Sequence, residues 1–173
     1  MEKRNGSGEH SGHQFPSPPD TNFQHMLEIV GNCWKLLEIV GFFSKLKAII
    51  LMILTNASRN GNKNLILSLI LDGARLDDVD FNGKTALIYA SREGYIEIVE
   101  ILIKAGANPD LVDKNGKTAL LWACQIGYIN IVKLLLQFGA NPYICDENNK
   151  SPVIWASQLG NLKIVQLLKT FFE

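Results

Sequence analysis

Between residues 80 and 160 the same residue types return every 33 positions: Asp80, Asp113 and Asp146; Thr85, Thr118 and Ser151; Ala90, Ala123 and Ala156; Gly94, Gly127 and Gly160. Self-similarity at such a period means that the chain stacks copies of one supersecondary unit. Each copy buries its apolar side against its neighbours instead of against one shared centre.

Within a copy, Asp80, Asn82 and Gly83 are turn formers. Short polar side chains bond nearby backbone and glycine accepts a positive φ, so Asp80 to Lys84 is predicted to turn tightly. A helix follows at once, with Thr85 placed to cap it and Ala86, Leu87 and Ala90 on one face. Gly94 ends it, because helices commonly close on a left-handed residue. In a second helix Ile96, Val99, Leu102 and Ile103 recur at three-and-four spacing as one buried stripe, with Glu97, Glu100 and Lys104 mostly opposite. Gly106 closes that helix, and Asn108-Pro109 leads to the next turn. The copy from Asp113 to Cys145 repeats these roles.

The period, the Asp-x-Asn-Gly-Lys-Thr-Ala-Leu opening and the Ile-Val-x-x-Leu-Leu second half resemble the ankyrin repeat, whose usual length is about 33 residues. The last copy departs from the pattern: Asn149 replaces the turn glycine, Ser151-Pro152 replaces Thr-Ala, and Phe171-Phe172-Glu173 follow. One period before Asp80, the residues Leu54, Ala57, Gly61, Leu69, Gly73 and Ala74 hold the places of a degenerate copy without its turn. The resemblance implies an all-α ankyrin-repeat solenoid of about four helix-turn-helix repeats, at 47–79, 80–112, 113–145 and 146–173. The turns project along one edge, and turns and first helices together make a concave face. About three units is the minimum for such a stack, so Leu102→Ala or Leu135→Ala is expected to cost about 2–5 kcal/mol and to threaten the whole array. The proline and histidine usual in the family's first helix give way to Ala86 and Ile88, and to Ala119 and Leu121. The histidine bond between repeats is therefore missing, and apolar contact is expected to replace it. The succession Thr-Ala-Leu-Ile-Tyr-Ala-Ser, with its two later versions, is also similar over a short stretch to the repeats of the kinase D-interacting substrate scaffold; no partner is carried over from it.

With 173 residues, 47% hydrophobic, and 17 basic against 17 acidic side chains, the chain can bury one domain and is not strongly basic. Phosphate binding needs a concentrated basic surface, so nucleic acid is excluded as a general partner. Cys33, Cys124 and Cys145, odd in number and without the close pairing of a zinc site, point to free thiols in a reducing compartment, the cytoplasm or the nucleus. The first residues carry no apolar core and do not read as a signal peptide.

Residues 1–20 are rich in Gly, Ser, Pro and charge and are expected to be a disordered tail. His10 and His13 could grip a metal only on a helix, and they read as part of that solvated tail. Phe23, Met26, Val30, Trp34, Leu37 and Val40 follow at about 3.5-residue spacing, which predicts helices over 21–46. Two readings compete for them: a helical cap over the exposed side of the first repeat, which an array end requires, or docking on a partner helix or a membrane surface. Ala48 to Leu54 is apolar all round but far shorter than the ~20 residues that cross a bilayer. Lys35, Lys45 and Lys47 make a sparse basic face for surface binding, so a membrane is disfavoured as partner.

No constellation carries chemistry. The repeats hold no histidine, no phosphate-cradling glycine loop, and no Ser or Cys beside a base. The Asp80, Asp113 and Asp146 column reads as three turn aspartates accepting their own backbone N–H groups, since a general acid or base needs a partner within hydrogen-bond reach. No enzyme activity, catalytic residue, metal or cofactor is expected. The resemblance instead implies a protein–protein interaction module, an adaptor or scaffold holding another protein in its groove through turn tips and first helices. Carried over by position, the contact residues are Phe81, Lys84, Tyr89 and Arg92; Lys117, Trp122, Gln125 and Ile126; Lys150, Trp155, Gln158 and Leu159. Tyr89, Trp122 and Trp155 share one repeat position and form an aromatic ladder, either as interface anchors or as filling between repeats. Lys84, Lys117 and Lys150 form a second column, which either attracts an acidic peptide or is a solvated edge. The alternative function is a structural or assembly subunit that associates through its array ends, Phe171 and Phe172 inviting self-association of the last repeat.

Overall fold

A computed structural model describes residue 41 and residues 44–171. The tail expected at 1–20, most of the capping segment expected at 21–46, the His10–His13 pair and Phe172 lie outside the described residues. Helix α1 runs without interruption over 44–59, so the boundary drawn between 46 and 47 falls inside a helix. There follow α2 (Lys63–Leu71), α3 (Ala86–Glu93), α4 (Ile96–Lys104), α5 (Ala119–Ile126), α6 (Ile129–Gln137), α7 (Pro152–Gln158) and α8 (Leu162–Thr170). No strand occurs among the described residues. The first helices α3, α5 and α7 pack in one row and the second helices α2, α4, α6 and α8 in another, with α3 against α4, α5 against α6 and α7 against α8. This is an all-α repeat solenoid.

Local chemistry accounts for the helix ends. Thr85 and Thr118 hold extended backbone, and each Oγ1 accepts the N–H three residues on, from Ile88 at 3.2 Å and Leu121 at 3.1 Å. Each such cap contributes about 1 kcal/mol. Ser151 has the same backbone but makes no side-chain cap bond, and α7 begins instead on Pro152, whose fixed φ suits a first helical position. The turn position held by Gly83 and Gly116 has two demands. Its φ is +73° and +72°, and a Cβ there would lie 3.0 and 2.9 Å from the backbone nitrogen of Lys114 and Glu147 in the next turn. In the last copy Asn149 adopts φ +57° at that place, a conformation asparagine tolerates, and no later described turn packs on it.

The second helices correct the stripe read from spacing. Ile98, Val99, Leu102 and Ile103 are buried, whereas Ile96, the first residue of α4, stands exposed in the place expected of Ile98. The stripe therefore starts two residues later, inside the helix, and α6 repeats it with Ile131, Val132, Leu135 and Leu136. Leu54, Ala57 and Ile66 of the degenerate copy join the same apolar cluster, while most of the apolar run before Leu54 remains exposed or half-exposed.

The joints between repeats are not tied by apolar contact alone, which corrects the expectation drawn from the missing histidine. Consecutive turns are bonded backbone to backbone, Lys114 N–H to Asn82 O at 3.0 Å and Glu147 N–H to Asn115 O at 3.1 Å. Asp77 and Asp110 each accept the backbone N–H of a residue one repeat on, Asn108 and Asn141, both at 2.8 Å. Tyr95 lies on Gly61 and Tyr128 on Gly94 of the preceding repeat; a Cβ at Gly94 would come within 2.7 Å of the Tyr128 ring. Asn161 takes over that place in the last copy and donates its amide to Cys124 O at 3.2 Å. The sequence signals were the 33-residue returns of Asp77 with Asp110 and of Gly-Tyr at 94–95 and 127–128, which pattern reading passed over.

Candidate functional site

Each turn aspartate organises its own repeat. Asp80 Oδ1 accepts the backbone N–H of Asn82 and Lys84 at 2.8 and 2.9 Å, and Asp113 and Asp146 do the same for Asn115 and Lys117, and for Asn148 and Lys150. The other oxygen reaches the ladder. Tyr89 Oη donates to Asp80 Oδ2 at 2.6 Å, Trp122 Nε1 to Asp113 Oδ2 at 3.0 Å, and Trp155 Nε1 to Asp146 Oδ2 at 2.8 Å. The aromatic polar tips are thus consumed internally, as a buried phenol and half-buried indoles require.

Burial tends to raise all three carboxyls, but the bonds they accept outweigh it. Asp80 is held below its ordinary range by Tyr89 and two backbone N–H groups, Asp113 by Lys84, two backbone N–H groups and Trp122, and Asp146 by backbone N–H groups and Trp155 with the field of Lys117. They are structural anions. Burial pushes the Cys124 thiol up to about 12, so it is an inert core group.

The lysines interleave with the aromatics. Lys84 Nζ bonds Asp113 Oδ2 across the joint at 2.9 Å, with 9% of its side chain exposed, and lies 5.3 Å from the centre of the Trp122 ring. Lys117 Nζ sits 4.7 Å from Trp122 and 4.5 Å from Trp155 and donates to Gln125 Oε1 at 2.7 Å. Lys150 Nζ sits 4.6 Å from Trp155 and donates to Gln158 Oε1 at 3.0 Å. The Arg92 guanidinium is 5.3 Å from Trp122 and approaches Glu93 at 3.7 Å. Along this face the order is therefore Lys84, Trp122, Lys117, Trp155, Lys150.

Among the residues picked from sequence, Phe81 is 82% exposed, and Ile126, Gln158 and Leu159 are exposed as well. Arg92, Lys117, Trp122, Gln125, Lys150 and Trp155 are half-buried. Tyr89 and Lys84 are buried, at 7% and 8%. Lys84 is neither a solvated edge nor a free cation, because Asp113 across the joint draws its ammonium inward. Position alone could not separate it from Lys117 and Lys150.

Shallow clefts open where α4, α6 and α8 begin, lined by Gly and Ile with the exposed Lys63–Glu97 pair at the first of them. None of the three sets a nucleophile beside a base. No cluster of metal-ligating side chains is found among the described residues, and none of the described helices is long and apolar enough to cross a membrane.

The helix pairs, the caps and the turn aspartates agree with one family model, described as ankyrin repeats in three copies, which matches residues 50–113 and 105–171. The chain belongs to the ankyrin-repeat family. No curated protein matches it. Ankyrin repeats are in general protein–protein interaction modules, and typically non-catalytic.

Proposed function

We propose that this ankyrin array is an adaptor or scaffold module that holds another protein along the face built by its turns and first helices. The observation that carries the reading is the ladder itself. Aspartate anchors hold Trp122 and Trp155 in fixed orientation, half-buried lysines lie over them, and Phe81, Ile126 and Leu159 at the neighbouring turn and first-helix positions are exposed. Side chains ordered before binding lose little entropy when a partner arrives, and aromatic residues are frequent anchors of interface energy. Truncating the indoles is a poor probe, since Trp122→Ala would remove a donor from the buried Asp113 and the ring on which Lys84 and Lys117 lie. The clean variant is Phe81→Ser with Ile126→Ser and Leu159→Ser, which touches only exposed positions. Affinity capture from a native lysate should lose its partner with this variant and keep it with Lys133→Met on α6, both melting like the wild type. Retention by the triple variant would sink the reading.

A second reading, assembly through an array end, has one observation behind it. Ile154 is 40% exposed, although its equivalents Ile88 and Leu121 are buried at 1% and 0%, and Leu162 at the start of the last helix is 75% exposed. Light scattering over a range of concentrations tests this; a molar mass that never rises removes it.

A further inference from the structure

We infer that the C-terminal half of this face takes an acidic peptide segment in extended, polyproline-like conformation, with carboxylates three residues apart. One carboxylate sits at Lys117 between Trp122 and Trp155, and the next at Lys150 on Trp155. The inference rests on the reading of this face as the partner-binding one, and it states what the partner brings.

The lysine column is electrically unequal. Lys84 is neutralised by Asp113 at 2.9 Å. Lys117 and Lys150 bond neutral amides, Gln125 and Gln158, and make no ion pair among the described residues. Asp146 is close enough for Lys117 to lower its pKa, but its oxygens are occupied by Trp155 and two backbone N–H groups and it lies beyond ion-pair distance. Lys114 adds an exposed cation at the turn tip and Glu147 an exposed anion. Two ammonium groups are therefore held ready on indole faces without a carboxylate of their own. Cations fixed against aromatic walls meet an incoming carboxylate at reduced dielectric and little ordering cost, and complementary charge sets which partner is accepted.

Spacing narrows the partner further. Lys117 and Lys150 hold equivalent places in neighbouring repeats, whose first helices pack at about 8–10 Å between axes. A polyproline II segment has three residues per turn and rises about 3.1 Å per residue, so residues i and i+3 lie on one face about 9 Å apart. In a β-strand, residues three apart point to opposite faces. The repeat pitch thus matches an acidic residue at every third position of a polyproline-like segment.

The test uses the full chain and three fluorescein-labelled peptides of equal length: repeated Glu-Pro-Pro, repeated Gln-Pro-Pro, and a peptide with the same number of glutamates at every second position. Fluorescence anisotropy should show binding of the Glu-Pro-Pro peptide that weakens roughly ten-fold or more between about 0.05 and about 0.3 M salt. Lys117→Met with Lys150→Met, which keeps the aliphatic stems on the indoles, should weaken it by about ten-fold or more, while Lys133→Met changes nothing. Equal binding of the glutamine peptide or of the every-second-position peptide overturns the proposal. So does competition by inorganic polyphosphate at equal charge, which would mark a general anion patch, and so does an unaffected double variant. If the native partner is lost with the triple serine variant but kept by the double methionine variant, the acidic-peptide proposal fails and the assignment of the face stands. If neither affects capture, both fail.

Discussion

Two joints of this stack carry the same residues at equivalent places and wire them differently. At the joint between the second and third repeats, Lys84 crosses to Asp113 and closes an ion pair. At the next joint, Lys117 has Asp146 within its field yet donates to Gln125 in its own repeat. The residue that differs lies eight positions on, at the end of the first helix. Position 92 is arginine, which has only donors to offer, so Lys84 has no local acceptor and turns to the neighbouring carboxylate; position 125 is glutamine, whose Oε1 accepts. One side chain outside the motif decides whether a conserved-looking lysine ties the array together or stays available to a ligand.

The largest expected difference between the joints comes from removing the carboxylates. Asp113→Ala strands Lys84 Nζ, Trp122 Nε1 and two backbone N–H groups, and is expected to cost about 3–5 kcal/mol. Asp146→Ala strands no ion-paired lysine, and should cost about 1–3 kcal/mol. Urea unfolding measures both, and equal costs would erase the distinction.

Acid should expose the same asymmetry. The folded Asp113 carboxyl lies below its ordinary 3.8, so on acidification the unfolded chain takes up a proton before the folded one. The stability it contributes is therefore complete above that value and is lost as pH falls through the lower folded one. Urea midpoints followed from about pH 6 to about pH 2.5 should fall less in Asp113→Asn than in wild type, and the flattening should be smaller in Asp146→Asn.

A subtler exchange tests the cause. Arg92→Gln should give Lys84 a local acceptor and weaken its coupling to Asp113, and a double-mutant cycle between positions 84 and 113 should lose about 1 kcal/mol or more in that background. The smallest effect concerns the helix interior. Ser91 is wholly buried with its hydroxyl unpartnered, where the next repeat has Cys124. Ser91→Ala should be neutral or stabilising by up to about 1 kcal/mol, and a drop in thermal midpoint would mean that the hydroxyl has a partner.

Much of the architecture was legible from residues because ankyrin turns and caps are local chemistry. Asp80, Gly83, Thr85 and Gly94 each act within a few residues of themselves, and the contacts they imply are present. Ile96 was misplaced because the first residue of a helix satisfies the spacing without facing the core. The ladder was legible as a column of aromatics but not as a bonded array, since each aromatic tip reaches nine residues back to the turn aspartate of its own repeat, farther than turn and cap patterns extend. Nothing in Lys84, Lys117 and Lys150 as a list says that the first is buried and the others half-open. That depends on what Arg92 and Gln125 can accept.

Because each repeat touches only its neighbours, a stretching force applied along the stack would pass through every joint in series, and the joint with the fewest cross-ties would yield first. Between the second and third repeats the ties are an ion pair, a turn-to-turn bond and the Asp110–Asn141 bond. Between the third and last they are a turn-to-turn bond and one asparagine amide. Of these two joints the second, with fewer polar ties, would part first under tension, and it lies beside the two lysines that remain without a carboxylate.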